Sequence, residues 1–332
     1  MNLYKSLIFI LYLGIFLGSG FRTPAQSRDS ITLYGTLDTV QVIRQRIQHA
    51  NEANAGARVT HISPAILQAN KTRSLAELLT DHTSIYIKSL GTGALSTASF
   101  RGTSASQTRV NWNGINITPP LSGTFDFSQI PVFFTDNINL YYGSSHVKNG
   151  TGAIGGSVNL FTDTDWNRGV NGRVLAEYGS YNTYTVGGQA NISGNKSASK
   201  TRLYYQHSDN DYTYLNKVLT NIPFREKRQD AAYSQFGIMQ EGYFRVSPYT
   251  RLTAVAWYQK NHRNLPQPLG VVNRSQEDQE ENNFRGYAGL DFSRGIHELH
   301  VKAAWLYFCQ TYDIRYDGGL FDPKGNKNRS NT

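Results

Sequence analysis

Cysteine and methionine are scarce in this chain. The 332 residues contain one cysteine, Cys309, and two methionines. A single cysteine cannot form an internal disulfide, and no cysteine pair stands at the spacing of a zinc site. The sequence therefore excludes a disulfide-bridged scaffold and a cysteine-based zinc module.

The chain also lacks a concentrated charge of one sign. The formal net charge is +9, but basic residues are scattered and often stand beside acidic ones, as in "FREKRQD" and "NRSQEDQEEN". Nucleic-acid-binding domains cluster their basic residues on one face. We therefore interpret the charged residues as a solvated surface and expect no nucleic-acid partner.

Motifs of common enzymes are absent as well. No Gly-x-Ser-x-Gly or His-Glu-x-x-His stretch occurs, and the eight histidines are dispersed. Asp163 and Asp165 are more simply read as part of a turn or linker. We predict no enzymatic activity, no catalytic residues and no cofactor.

Long apolar runs are confined to the first residues. Lys5 precedes "LIFILYLGIFL", which is followed by small residues and by Ala25. This is the layout of a secretory signal peptide over 1–25. A membrane anchor is the alternative, although the run is short for ~30 Å of hydrocarbon. Later residues contain no run of about 18 apolar residues, which excludes helical spans but not membrane strands.

The residues that are abundant favour strands and turns. Tyr (21), Phe (16) and Gly (30) are frequent, and 39% apolar with 17% charged residues is typical of a folding chain. A polar stretch over 26–57 precedes a compact unit over 58–164. In that unit Ser63 and Pro64 begin a predicted helix, "PAILQAN", and Thr72 is predicted to cap a second, "TRSLAELLTDH". Leu75, Leu78 and Leu79 share one face of that helix.

Five strands are predicted after these helices, separated by glycine-rich turns. They are "SIYIKSL", "STASFRG", "TRVNWNGINI", "TDNINLYYG" and "GGSVNLF".

From about residue 165 the pattern changes to seven longer segments with a period of two. Val174, Ala176 and Tyr178 alternate with Arg173 and Glu177. The connections alternate between short ones and long polar ones at 210–230, 261–282 and from 310 onward. Outer-membrane barrels alternate short periplasmic turns with long external loops. A soluble β-sandwich is the alternative.

Three motifs in order resemble a known family. "FRGTSASQTRVNWNGINI", "DFSQIPVFFTDNINLYYGSS" and "GTGAIGGSVNL" resemble the plug domain of TonB-dependent outer-membrane receptors, most similar to the cobalamin (BtuB-type) receptors. The resemblance implies an α+β plug domain (58–164) followed by an antiparallel transmembrane β-barrel (165–332). The glycines of the third motif are expected to let the chain turn sharply and pack against the barrel wall.

The sequence departs from the family pattern at two places. The usual Asp-Gly turn is Asn113-Gly114, which remains a favoured tight turn, and the usual Arg-Gly-Pro is replaced in "YYGSS". The second change removes one basic residue from the expected polar network between plug and wall.

The stretch "LDTVQV" resembles the TonB box, which pairs as an added strand with the energy-coupling protein TonB. The predicted box comprises Asp38, Thr39, Val40, Gln41 and Val42 in the periplasmic segment. The alternative is that these residues form the first strand of the plug sheet.

The resemblance implies an exported receptor in the Gram-negative outer membrane, in contact with its lipid, that takes up a bulky corrinoid or ferric siderophore with energy supplied through TonB. Two apical plug loops are expected to bind the substrate: Ser89, Leu90, Gly91, Thr92, Gly93 and Ala94, and Pro119, Pro120, Leu121, Ser122, Gly123 and Thr124. They could also be ordinary solvent-facing turns. A passive porin or surface-binding barrel is the alternative function.

Two further hypotheses concern charged residues. Asp209 and Asp211 offer oxygen ligands for calcium in an external loop, although a solvated turn is the simpler interpretation. The resemblance implies that Arg101 is an internal charge that locks the plug to a wall carboxylate, and Glu177 or Glu241 could serve, since a buried guanidinium needs such partners. Capping of turn carbonyls within the plug is the alternative role.

The length of the chain limits the barrel. Receptors of this family close barrels of about 22 strands, whereas the residues after 165 supply about seven. The last segment, "DPKGNKNRSNT", is predicted to be a polar loop. We therefore expect an N-terminal fragment or a truncated product that does not insert stably alone, because open sheet edges are not tolerated in lipid.

Overall fold

A computed structural model describes residues 58–120, 122–143, 153–218, 223–269, 275–316 and 327–331. The predicted signal peptide and the predicted TonB box lie outside the described residues, and both stay predictions.

Two short helices follow the first strand of the plug. Helix α1, Pro64–Ala69, begins at the predicted cap, where the Ser63 hydroxyl accepts a hydrogen bond from the amide of Ile66. Helix α2, Leu75–His82, is capped by Ser74 rather than by Thr72, because Ser74 and Glu77 form a reciprocal capping box. The predicted apolar face of α2 is buried. Neither helix in the described part of the chain is long and apolar enough to cross a membrane.

The plug strands form two small sheets. They are β1 Arg58–His61, β2 Tyr86–Ser89, β3 Ser96–Ser99, β4 Thr108–Trp112, β5 Ile115–Asn116, β6 Asn137–Tyr142 and β7 Gly156–Phe161. The larger sheet has the order β1-β6-β7-β4-β5, in which only β4 and β7 are parallel, and β2 pairs with β3. Asn113 and Gly114 have φ of 49° and 83°, which are the left-handed values that a tight turn between β4 and β5 requires.

The second part of the chain is a large antiparallel sheet, here called the wall. Its strands are β8 Gly169–Gly179, β9 Thr183–Ser193, β10 Ser197–Ser208, β13 Tyr233–Ser247, β14 Thr250–Asn264, β15 Ser275–Arg294, β16 His297–Tyr316 and β17 Lys327–Asn331. They are hydrogen-bonded in the order in which they follow each other along the chain. The seven predicted strands are confirmed.

The connections differ from the prediction in three places. The polar stretch at 210–230 contains a hairpin of β11 Thr213–Asn216 and β12 Phe224–Lys227. Strands β14, β15 and β16 each extend into stretches that were expected to be loops. The prediction of a terminal polar loop is wrong at β17, which pairs with β16. Main-chain pairing does not require apolar side chains, so these polar strand ends lacked the alternation by which strands were predicted and were taken for loops.

The wall strands have two distinct faces. Every second residue is buried from Tyr233 to Tyr243 in β13 and from Thr253 to Arg263 in β14, on the face that packs against the plug. The opposite face exposes large apolar side chains, as is typical of a surface that contacts lipid. These include Leu203, Tyr205, Phe236, Ile238, Phe244 and Leu252.

One apolar core joins the plug to the wall. The ring of Trp112 in β4 lies 5.4 Å from Trp257 and 5.3 Å from Tyr287, and the ring of Phe134 lies 5.3 Å from Trp257. These are edge-on and tilted contacts of the kind that aromatic pairs favour. The plug is therefore packed onto the inner face of the wall.

The wall is a partial barrel. Among the described residues, β8 and β17 each pair with only one neighbouring strand, and the two do not pair with each other. The sheet is therefore open, and the fold is a plug followed by an incomplete antiparallel barrel.

Candidate functional site: the plug loops and the contacts between plug and wall

The first candidate binding loop, Ser89–Ala94, connects β2 to β3. Its residues from Ser89 to Thr92 are exposed. The amide of Asn210 donates a hydrogen bond of 3.1 Å to the Thr92 carbonyl, and the ring of Tyr233 packs against Gly93. Asn210 and Tyr233 flank the connection that contains the β11–β12 hairpin. The loop therefore lies at the end of the wall that carries the longer connections, as the apical assignment requires.

A cavity of about 150 Å³ lies beneath this loop. Its lining is mixed, and it includes several hydroxyl groups together with the Glu77 carboxylate and the Gln206 amide. The hydroxyl-bearing residues are Ser74, Thr80, Ser89, Thr92, Ser96, Ser128 and Tyr233. The space is large enough for several water molecules, and these hydroxyl groups could bind them.

The second candidate loop, Pro119–Thr124, is a tight turn. Pro120 and Ser122 are exposed, the Gly123 amide donates to the Pro119 carbonyl over 3.1 Å, and Leu121 lies outside the described residues. Binding of substrate by either loop stays a prediction.

Asp126 fastens the chain after the second loop to the wall. Its carboxylate accepts a hydrogen bond from the Ser96 amide over 3.0 Å and pairs with Arg263 of β14 over 2.7 Å. Both side chains of the ion pair are about nine-tenths buried. The pair therefore ties both candidate loops to one position on the wall, because Ser96 lies two residues after the first loop.

The two candidate calcium ligands, Asp209 and Asp211, contact different side chains. Asp209 contacts His207 at 3.0 Å and accepts from Asn182 over 3.1 Å, and these hydrogen bonds lower the pKa of its carboxyl. Asp211 pairs with Lys227 over 2.7 Å. Within the described ranges, no three His, Cys, Asp or Glu residues cluster as a metal site would require.

The described strands do not pair Arg101 with Glu177 or Glu241. Arg101 is exposed and occupies a turn with φ of 50°, and Glu177 is exposed on the edge strand β8. Glu241 is fully buried on the inner face of the wall, as one alternative required, but the guanidinium beside it belongs to Arg202 of β10, at 3.3 Å. The arginine of the "FRGT" motif is therefore exposed in a plug turn and pairs with neither of the two carboxylates considered for it.

The ion pairs between plug and wall reverse the predicted lock, because the acid is on the plug and the cations are on the wall. Asp136 of the plug is the acidic partner, and it pairs with Lys200 over 3.0 Å and with Arg202 at closer range. Burial alone would raise the pKa of the Asp136 carboxyl, but Arg202 and Lys200 lower it to about 2. The hydroxyl of Tyr243 donates to Glu241 over 2.6 Å.

Lys71 adds a third cation on the plug side of this cluster. Its ammonium donates to the carbonyls of Thr135 and Val132 and is largely buried. Burial lowers the pKa of Lys71 to about 8, and Asp136 partly opposes that shift. A cavity of about 670 Å³ lies beside Lys71, Asp136 and Lys200, so solvent reaches one side of the cluster.

A row of amides on the wall also binds the plug main chain. Gln235 donates to the Ser128 carbonyl over 2.9 Å, Gln259 donates to the Gln129 carbonyl, and Asn261 donates to the Gln129 side chain over 3.1 Å. The sequence analysis did not single out these residues or Asp136. The alternation of Gln235, Gln259 and Asn261 along their strands could have placed them on one face of the wall. Their hydrogen-bond partners could not have been predicted, because those depend on how the plug is docked.

The glycine-rich closing motif packs within the plug rather than against the wall. A Cβ at Gly155 would meet Thr103, and one at Gly156 would meet Phe100 and the carbonyl of Tyr141. The expectation of close contact is confirmed, but its partner was wrongly assigned. Residues 150–152 of the motif lie outside the described ranges.

Comparison with known families agrees with this arrangement. Residues 51–157 match the TonB-dependent receptor plug domain. The vitamin B12 transporter BtuB of Photobacterium profundum is 32% identical over 135 residues, which are 41% of this chain and 22% of the relative. BtuB of Vibrio cholerae serotype O1 is 32% identical over 126 residues, 38% of this chain and 20% of the relative. The chain thus spans about a fifth of the length of these relatives.

Solved structures of similar fold extend the likeness into the wall. The siderophore receptor PiuA from Acinetobacter baumannii has a TM-score of 0.57 at 18% identity, over 78% of this chain and 37% of that one. The alcaligin outer-membrane receptor FauA from Bordetella pertussis has a TM-score of 0.57 at 15% identity. The match covers 80% of this chain and 40% of FauA. These likenesses concern the fold. With a plug-domain match over residues 51–157, a BtuB-like sequence and a partial barrel, this chain is similar to the TonB-dependent outer-membrane receptors.

Proposed function

We propose that the full-length protein takes up a bulky nutrient across the outer membrane with energy supplied through TonB. The observation that carries this proposal is the docking of the plug onto the inner face of the wall. Buried ion pairs at Asp126 and Asp136 and a shared aromatic core hold the plug in place. Passage of a large molecule then requires the plug to move, and such movement needs work.

The substrate that we propose is a cobalamin-like compound, with ferric siderophores second. The sequence similarity to proteins named as vitamin B12 transporters supports the first, and the fold shared with siderophore receptors supports the second. The apical loops would provide the contact surface, where small residues let a rigid ligand approach the main chain.

Energy coupling would act through the predicted box, Asp38–Val42, on the periplasmic side. A strand added to TonB needs mainly an extended and accessible main chain, and this β-prone stretch meets that requirement. Export would depend on the predicted signal peptide over 1–25.

Binding is tested with the full-length receptor by titration with cyanocobalamin and with ferric enterobactin. We expect saturable binding of cyanocobalamin and weaker or no binding of the ferric chelate. Binding of ferric enterobactin alone would assign the siderophore class, and binding of neither compound would contradict the proposed substrates.

Coupling is tested by deletion of residues 38–42 in cells that express the full-length receptor. We expect binding at the cell surface to persist and energy-dependent uptake to stop. Unchanged uptake after the deletion would contradict active transport and favour a passive porin.

A further inference from the structure

A single side-chain amide connects three segments at the outward end of the structure. The amide nitrogen of Asn210 donates to the Thr92 carbonyl over 3.1 Å and to the Ala231 carbonyl over 3.2 Å. Thr92 belongs to the first apical loop, whereas Asn210 and Ala231 lie at the two ends of the connection between β10 and β13. One amide therefore joins both ends of that connection to the plug.

Asn210 is held firmly in this position. The residue is buried, and its φ of 51° is a left-handed value that asparagine tolerates better than most residues. Its main-chain N–H donates to the Ser208 hydroxyl over 3.2 Å. Both N–H groups of the side chain are used, so rotation of the amide would break two hydrogen bonds at once. The geometry defines one orientation.

The connection that Asn210 anchors is itself well braced. We call its described residues, 209–218 and 223–231, the arm. Glu226 accepts hydrogen bonds from Tyr214 over 3.0 Å and from Asn216 over 2.8 Å, and Lys227 pairs with Asp211 over 2.7 Å. These contacts connect β11 and the residue Asp211 before it to β12, so the two sides of the hairpin are braced against each other.

The outer surface of the arm is suited to contact with a ligand. Leu215 and Phe224 are 50% and 39% exposed, and Tyr212 packs 6.2 Å from the ring of Tyr181. Exposed aromatic and apolar groups beside polar ones are typical of recognition surfaces.

The apical loop is able to respond to motion of the arm root. A cavity of about 150 Å³ lies beneath it, and a Cβ at Gly93 would fall 2.2 Å from the ring of Tyr233. The loop is thus in close contact with the wall at one side and has free space below. A shift at Asn210 would move Thr92 directly.

We propose that Asn210 is a positioning residue that couples the arm to the plug, so that a ligand held by the arm changes the conformation of the loop Ser89–Ala94. This inference rests on the proposed receptor function and names the route from outer loop to plug. The mechanism needs no metal, although the residue stands between the two aspartates considered for calcium.

The test is hydrogen–deuterium exchange on the full-length receptor without ligand. The variant Asn210→Gly keeps the left-handed main chain and removes the amide. We expect exchange of amides in 89–95 to increase about fivefold to tenfold, since the hydrogen bond that holds the Thr92 carbonyl is lost. Asn210→Asp retains the shape but cannot donate to the two carbonyls, and we expect at least the same increase.

The matched control is Asn167→Gly. Asn167 also has a left-handed φ, of 61°, and it is exposed in the short connection before β8, outside the arm. We expect exchange in 89–95 to remain as in the wild type. Equal exchange in the Asn210 variants and the wild type, or an equal increase in the Asn167 control, would overturn the proposal.

Coupling is reciprocal, so a change in the loop must reach the arm. Gly93→Ala forces the loop away from Tyr233, and we expect faster exchange at residues 209–212 and 231–233. No change there would contradict coupling. Neither measurement uses a ligand. A wild-type receptor that binds neither cyanocobalamin nor ferric enterobactin would therefore refute the proposed substrates and leave the exchange results to decide the coupling.

Discussion

At the scale of single residues, the main finding is the arrangement of charge between plug and wall. The acids Asp126 and Asp136 belong to the plug, and their cationic partners Arg263, Lys200 and Arg202 belong to the wall. Family resemblance had placed the cation on the plug, at Arg101. The sequence analysis placed Arg101 at the end of the strand "STASFRG", but that strand ends at Ser99, and the Arg101 side chain lies exposed in the turn that follows.

Substitution of Asp136 tests the ionic contact. In Asp136→Asn, Lys200 and Arg202 lose their acidic partner on the plug. Breaking a buried pair costs about 3 to 5 kcal/mol, and we expect about 2 to 3 kcal/mol here because the carboxyl is 25% exposed. Urea unfolding of the full-length receptor, followed by tryptophan emission, measures the change.

The pH dependence of the same contact has a definite sign. The pKa of Asp136 is lowered from 3.8 to about 2, so its contribution is present above about pH 4 and is lost as the pH falls toward 2. The control for the Asp136→Asn unfolding experiment is Asp165→Asn, because Asp165 pairs with Arg168 in an exposed position where an ion pair contributes little to stability. Equal destabilisation by both substitutions would contradict the role of Asp136.

At the scale of elements, strand β13 is fitted to the plug. Gly237 faces the plug, and a Cβ there would lie 2.6 Å from the ring of Phe134. Gly242, on the same strand, has no neighbour closer than 3.8 Å to its Cβ position. The sequence predicted β13 from its alternation, but the need for glycine at one position arises only when the plug is in place.

The pair of glycines gives a matched experiment. Gly237→Ala forces Phe134 or the strand to shift, and overpacking of this kind costs about 1 to 3 kcal/mol. We expect a lower urea midpoint for the plug in Gly237→Ala and an almost unchanged midpoint in Gly242→Ala. A shift of the same size in both variants would attribute the effect to the strand rather than to the plug contact.

At the scale of the whole molecule, the described wall is an open sheet. Strands β8 and β17 form its two edges, and many side chains of β8 are exposed on both faces. Unpaired main-chain groups at a sheet edge cost several kcal/mol each in hydrocarbon.

The 332-residue chain expressed by itself is therefore expected not to form a stable membrane barrel. The measurement is electrophoretic mobility in detergent with and without heating. We expect one mobility under both conditions, and the full-length receptor serves as the control that changes mobility on heating. A heat-sensitive compact band from the chain alone would contradict the expectation.

The sequence by itself determined the elements and their order. Period-two alternation predicted seven wall strands, the Ser63-Pro64 pair predicted where α1 begins, and three glycine-containing motifs identified the plug. These features depend on local sequence, because side-chain alternation and capping act over a few residues. The polar ends of β14, β15 and β16 were missed, since their pairing relies on main-chain hydrogen bonds.

Only the tertiary structure decided which groups meet. The pairing of Asp136 with Arg202, the clamp from Asn210 to Thr92 and the contact of Gly237 with Phe134 join residues far apart in the chain. Such contacts depend on how the plug is seated against the wall, and that seating results from the shared aromatic core and the buried charges together. No local pattern encodes it, because each partner becomes a neighbour only after both domains have folded.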